Sequence, residues 1–493
     1  MRHPDVRKAV FLRTLLAGAA CAALVAIVGQ TPLRASTLDT IGITQLRALN
    51  PALTGAGISV AQAEAPQDSN AFEVNPAATG QSAALFTYIS SVGTSTVFGD
   101  SVGIESSHAN SVAGNFYAAG TGAAPGVQHV YNYEAGYFST LIINDNPING
   151  SIVNQSFAFT AGTQQSYDSA YDNYTYAHGT LFVSAVGNAV RPSAPGTSYN
   201  GIGVAAYGGT SAAGPTLDNG RSKPDITAPG DFTSFSTPLV SGVAAILSQA
   251  GAQGDGGSGT ASVATDPRVI KTLLINGAVK PSDWTHTPTA PLDTRYGGGI
   301  VNAYNSYILL AAGEHTFSSS NATGSLVGTA PANITGTADP LFGWDRADIT
   351  SGTLSDAVNH YVFNPKVAAG VTSYTLTATL TWYRQTDQAA INNLNLFLYD
   401  ATTSTTTAVD ESASLVDNVE HLYTLSLTPG HTYDLQVLKD GGLAGSTTVS
   451  NLETYALAYS FTPLPEPASL AVMLLGIPMF CRRSSRRALP SRD

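Results

Sequence analysis

Apolar residues follow two different rhythms along this chain. Up to about residue 313 they come in short dense runs closed by glycine, proline or asparagine, such as Ile58–Glu64, Ile152–Phe157 and Leu181–Val186. Runs of that length without alternation predict strands buried on both faces, as in a parallel sheet covered by helices. Phe232–Leu247 instead repeats small and aliphatic residues at the spacing of a buried helix, with Ser234 and Pro238 near its start. Val269–Ala278 and Thr44–Leu49 read as further helices. From His315 the rhythm changes to alternation: Tyr374, Leu376, Ala378, Leu380 and Trp382 share one face, as do Leu394, Leu396 and Leu398, then Tyr433, Leu435 and Val437, then Tyr455, Leu457, Tyr459 and Phe461. Period-two strands between Gly and Pro turns predict an antiparallel β-sandwich of jelly-roll type. The expected architecture is α/β over residues 36–313, followed by a β-sandwich over 314–463.

Composition narrows the class of partner. Only 11% of the 493 residues are charged and the formal net charge is −12. Ten of the 22 Lys and Arg lie in the first 35 and last 30 residues, so the chain between them carries 12 basic against 31 acidic residues. A surface that acidic argues against nucleic acid as a partner. Both ends read as processing signals. Arg2, Arg7, Lys8 and Arg13 precede the apolar run Leu15–Val28, with small residues near Ala35, the order of a secretory signal peptide. Pro465-Glu466-Pro467 leads into the apolar Ala468–Phe480 and then Arg482, Arg483, Arg486 and Arg487. That order resembles the PEP-CTERM sorting tail of Gram-negative bacteria, which implies transient membrane association and cutting by an exosortase-like enzyme; the apolar stretch is short of the roughly 20 residues that span a bilayer. The only cysteines, Cys21 and Cys481, fall in these ends, so the mature chain is expected to hold no disulfide.

Four residues stand where chemistry could use them. Ser234 at the start of a buried helix would sit at the positive end of the helix dipole, beside N–H groups with no partner inside the helix. Asn188 follows Gly187 at the end of a strand, His108 opens a helix, and Glu64 ends the first strand. A histidine can take and return a proton near neutral pH, and a carboxylate beside it can orient the ring.

The segments around these residues resemble the subtilisin-like serine proteases, or subtilases. Lys223-Pro224-Asp225-Ile226-Thr227-Ala228-Pro229-Gly230 followed by Phe232–Leu247 resembles K-P-D-(V/I)-x-A-P-G and G-T-S-M-A-(T/S)-P-H-V-A-G. Glu105–Gly120 resembles the histidine segment S-H-G-T-H-V-A-G, and Gly122–Val127 the turn G-x-A-P-x-A. Ile152–Phe157 is similar to V-I-N-M-S-L, Leu181–Asn188 to V-x-A-A-G-N, and Arg295–Ala303 to Y-G-x-G-x-(V/I)-N-A. The resemblance implies Ser234 as nucleophile, His108 as general base, Glu64 in the position of the triad aspartate, and Asn188 as an oxyanion donor. It implies that Ser156, Phe157 and Gly187 border a groove where a peptide adds as a β-strand. Asp68 is a fallback carboxylate should the loop after Glu64 rearrange.

Taken together, an exported serine endopeptidase of the cell surface or extracellular space is expected, acting on protein or peptide substrates. Structural Ca2+ is a possibility the family raises, but no metal residue stands out in the sequence. The competing expectation is a catalytically inactive subtilase-like domain that binds a surface or matrix. It is motivated by Glu64 in place of Asp, by the short link from Gly230 to Ser234, and by Phe232 where the family has a glycine free to take positive φ.

Overall fold

The computed structural model describes residues 36–465 apart from 69, 160–163, 258–259, 322–337, 351–357, 387–389, 404–406 and 447–448. The basic and apolar N-terminal segment, the tail from residue 466 onward, and both cysteines lie outside the described residues.

An eight-stranded sheet organises the first part of the chain. In chain order its strands are β1 (Ser59–Glu64), β2 (Phe86–Ser90), β3 (Gly93–Ser95), β4 (His129–Glu134), β5 (Ile152–Gln155), β6 (Leu181–Ala185), β7 (Ile202–Tyr207) and β8 (Ile226–Pro229). Across the sheet they run β8-β7-β6-β5-β1-β4-β2-β3, all parallel except the β2–β3 hairpin. Strands β5 and β6 are buried at every position, which is why their sequences show no alternation. The helices of seven residues or more are α1 (Ile43–Leu49), α2 (Ser107–Phe116), α3 (Ala135–Ile143), α4 (Gln164–His178), α5 (Thr233–Ala252), α6 (Pro267–Asn276) and α7 (Ala303–Ala312).

Helix α5 is the central pillar, with 17 of its 20 residues buried. Leu239, Val240, Val243, Ile246 and Leu247 belong to the main core, and at roughly 1.5–3 kcal/mol per buried side chain they fix the axis of the helix against the sheet. Gly242 lets the loop before β4 lie against that axis, since a Cβ there would come within 2.4 Å of the Ala123 Cβ. Near its far end Gln249 accepts from the backbone N–H groups of Thr54, Gly55 and Ala56 and donates to Ala52 O, pinning the approach to β1. Strand β1 therefore enters the sheet at a fixed height, and Glu64 ends it at its carboxyl end.

Two antiparallel sheets form the rest. Their strands are β9 (Ser319–Asn321), β10 (Phe342–Thr350), β11 (Val358–Phe363), β12 (Val371–Trp382), β13 (Asn392–Asp400), β14 (Ala408–Ser412), β15 (Val419–Leu427), β16 (Tyr433–Gly442) and β17 (Leu452–Pro465). One sheet runs β9-β11-β16-β13-β14 and the other β10-β17-β12-β15. The alternating residues Tyr374–Trp382, Leu394–Leu398, Tyr433–Val437 and Tyr455–Phe461 meet in a single core between them, the sandwich arrangement that the period of two predicts. Strand β17 extends to Pro465, so the sandwich takes in Leu464 and Pro465.

Candidate active site

Glu64 and His108 meet directly. Glu64 is 1% exposed, and its Oε2 lies 2.8 Å from His108 Nδ1. The other carboxylate oxygen, Oε1, accepts from Gln62 Nε2 at 2.8 Å. The extra methylene of glutamate thus does not keep it from the imidazole. Asp68 is exposed and takes no part in the pair. His108 is the second residue of α2; Ser106 caps this helix, its hydroxyl accepting from Ala109 N. The Gln67 side-chain oxygen then collects Ser106 Oγ, Ser107 Oγ and His108 N, which holds the first turn, and the imidazole with it, against the loop after β1. Burial pulls the imidazole pKa down, but the hydrogen bond and the charge of Glu64 outweigh it, and His108 titrates above its ordinary value.

Ser234 sits in the first turn of α5, beside this pair: the ring of the next residue, Phe235, is 5.8 Å from the His108 ring, and Asn115 of α2 donates to Phe235 O. The Ser234 hydroxyl donates to Ser156 O at 3.0 Å and makes no hydrogen bond to His108. In return Ser156 Oγ donates to Ser234 O at 2.8 Å. That second bond has a local cause. Pro238, four residues on, has no N–H to give to Ser234 O, and the Ser156 hydroxyl replaces the missing helical donor. Phe232, before the helix, has φ −141° and ψ 156°. This is ordinary extended backbone, so the position does not need the positive φ that a glycine would supply. The short link from Gly230 accommodates the helix start without strain there.

Asn188 reaches the same turn from the end of β6. Its Oδ1 accepts from Thr233 N at 3.0 Å and Thr233 Oγ1 at 2.9 Å. With the oxygen committed, the amide nitrogen is the end available to an acceptor. Gly187 before it has φ +93°, a conformation that favours glycine, and its carbonyl accepts from Ala212 N. Ser156 and Phe157 lie just past β5. That strand is flanked by β1 and β6 and has no free edge, so a peptide could pair only with the segment beyond it. Phe157 lines a cavity of about 370 Å3 together with Pro66, Ser139, Ile143, Phe159 and Tyr167.

Sequence reasoning passed over Gln62, Gln67, Tyr117 and Thr233. The signal for Gln62 was present, a polar residue inside an otherwise apolar strand at the i, i+2 position from Glu64. Among the described residues no group of three or more His, Cys, Asp or Glu is placed to hold a metal ion. No helix among them is long and apolar enough to cross a membrane.

Comparisons with known proteins place the site in context. The protease domain of PatA is similar at 21% identity, with 52% of this chain and 97% of that one covered and a TM-score of 0.38. The prenylagaramide maturation protease PagA is similar at 21% identity, 54% and 98% covered, TM-score 0.39. A serine protease of Aeromonas sobria is similar at 14% identity, 83% and 89% covered, TM-score 0.37. A search of curated proteins found no match. The model of the subtilase family, peptidase S8, matches residues 99–299, a stretch that holds His108, Asn188 and Ser234 and supports a serine protease.

Proposed function

We propose that the chain is an exported serine endopeptidase in which Ser234, His108, Glu64 and Asn188 carry the chemistry. The observation that carries this reading is the contact of buried Glu64 with half-buried His108, at 2.8 Å, set beside the helix turn that presents Ser234. In the reaction the Ser234 hydroxyl leaves Ser156 O, turns to His108 Nε2 and attacks the scissile carbonyl while its proton passes to the imidazole. Glu64 accepts from Nδ1–H and stabilises the imidazolium. The oxyanion is met by Asn188 Nδ2–H and the Ser234 backbone N–H, which faces outward at the helix start. His108 then returns the proton to the leaving amine, and water, activated by the same imidazole, releases the acyl group. Apo sites commonly lack the serine–histidine hydrogen bond and acquire it with substrate bound. The ends of the sequence support export from a Gram-negative cell and processing of the tail by an exosortase-like enzyme.

A second reading, a catalytically silent domain, is favoured by one observation, the Ser234 hydroxyl engaged with Ser156 rather than with His108. A fluorophosphonate probe separates the two. Labelling of the intact chain that disappears in Ser234→Ala and falls at least tenfold in Glu64→Ala is the expected result, a loss of the size that a displaced catalytic group produces. A folded chain that takes no label between about pH 5 and 10, a span that covers the roughly pH 5–8 over which a histidine base ionises, belongs to the silent class.

A further inference from the structure

Gln62 and Glu64 are two residues apart on β1, so their side chains leave the strand on the same face. Gln62 is completely buried, where an amide is tolerated only if its polar atoms are paired. All of them are. Nε2 donates to Glu64 Oε1 at 2.8 Å and to Ala109 O at 3.0 Å, and Oε1 accepts from Tyr117 OH at 2.6 Å. This network also fixes which way the amide faces: turned over, its oxygen would confront the Glu64 carboxylate and the Ala109 carbonyl, three acceptors with no proton among them. Tyr117 is buried as well and is the C-terminal capping residue of α2, the helix whose second residue is His108. One helix therefore carries both the imidazole and the phenol, and the strand beside it carries both the carboxylate and the amide that joins them.

We propose that Gln62, locked by Tyr117, is a positioning residue that holds the Glu64 carboxylate on His108 Nδ1. A glutamate has one more freely rotating bond than an aspartate, and a carboxylate held at only one oxygen can swing about it. The Gln62 amide grips the second oxygen and, through Ala109 O, the turn that carries His108, so acid and base share one anchor. The inference rests on the protease reading of this site.

The test is the fluorophosphonate labelling rate of the intact chain as a function of pH, in the wild type, Gln62→Met, Tyr117→Phe, Glu64→Ala and the Gln62→Met/Glu64→Ala double variant. Methionine keeps the length and bulk of glutamine without its donors. The expected result is that Gln62→Met labels about tenfold more slowly, with its pH midpoint displaced toward that of Glu64→Ala, while adding it to Glu64→Ala changes the rate by less than about twofold, as for residues that act through one another. A Gln62→Met rate equal to wild type overturns the proposal. So does an equal slowing with and without Glu64, or a slowed rate with an unmoved midpoint, either of which marks a packing defect. If Gln62→Met does not fold, Tyr117→Phe, which removes one oxygen from a retained ring, carries the same test: slowing in the wild-type background and none in Glu64→Ala supports the brace, and no slowing overturns it. A wild type that takes no label overturns the protease reading itself, and with it the brace, whereas a labelled wild type with indifferent variants overturns the brace alone.

Discussion

Two demands meet in Ser234. Its carbonyl is the one that Pro238 leaves without a helical donor, and its hydroxyl is the group that the proposed chemistry needs; Ser156 answers both, giving its own hydroxyl to the first and its carbonyl to the second. His108 shows a similar balance, burial drawing its pKa down and Glu64 raising it further. A raised value means that the imidazole gains its basic form only as pH climbs past the ordinary 6.5, so the labelling rate is expected to rise through a midpoint above 6.5. In Glu64→Gln the charge is gone while a neutral acceptor remains, and the midpoint is expected to fall below that of the wild type; a midpoint that stays put in this variant disproves the coupling. Asn188→Leu keeps bulk and removes the amide donor, and is expected to lower peptide cleavage by about 100–1000-fold, the figure for one oxyanion donor in subtilisin itself. These residues stand out in the sequence through the segments that resemble subtilases, Glu64 and Asn188 closing strands and His108 and Ser234 opening helices. Gln62 shows in the sequence only as a polar residue two positions before Glu64, and Tyr117 not at all, because the contact that gives them meaning joins a strand to a helix end 55 residues away.

Among the elements, β8 and α6 show what the Lys223-Pro224-Asp225 motif does in this chain. Asp225, just before β8, is buried; its Oδ2 takes the Lys223 ammonium and Gly203 N, and its Oδ1 lies 3.1 Å from Lys271 Nζ on α6. Lys271 also donates to Tyr199 O and Gly201 O, so one carboxylate ties α6 to the start of β7. Burial raises the Asp225 pKa, but the two lysines together bring it below the usual value. A lowered carboxylate pKa stabilises the fold above the unfolded-state value of about 3.9 and loses that contribution as pH falls through the folded-state value. Asp225→Asn leaves two buried cations without their shared anion and is expected to cost about 3–5 kcal/mol in urea unfolding near neutral pH. A loss below about 1 kcal/mol, typical of an exposed pair, would mean that the cluster is solvated. The sequence marked this stretch as a recognisable motif without revealing that its work is structural. The apolar runs likewise placed β1, β5 and β6 within a residue or two, because strands buried on both faces announce themselves by density alone, whereas the order of strands across the sheet depends on contacts that no local window contains.

At the scale of the molecule, the change of rhythm at His315 suggests two parts lying end to end, but their junction is built like an interior. Trp344 of β10 belongs to the core of the α/β part and donates its indole N–H to Leu310 O of α7. Helix α6 lies against β12 and β17. There Thr272 bonds Thr381 at 2.6 Å, Thr379 bonds Asn276 at 3.0 Å, and Arg268 donates to Thr454 O. Arg346 of the sandwich pairs with Asp266 at the start of the same helix, and Asp417 accepts from Ser222 N one residue before Lys223. None of these polar partners stands out in the sequence, since Thr, Asn and Arg on a strand are ordinary surface residues until a helix covers them. Because α6 also supplies Lys271 to Asp225, the sandwich and the ion cluster brace the same helix, and the two parts are expected to unfold as one cooperative unit. Ending the chain at residue 313 removes Trp344 from its socket, a loss worth about 3–5 kcal/mol by itself, and strips α6 of its polar partners. The shortened chain is therefore expected to melt on the order of 10 °C below the full chain, or not to fold. Calorimetry decides between the two pictures: one transition in the full chain and a destabilised fragment follow from the shared helix, whereas two separate transitions, the lower one absent from a fragment of undiminished stability, would make the sandwich an appendage.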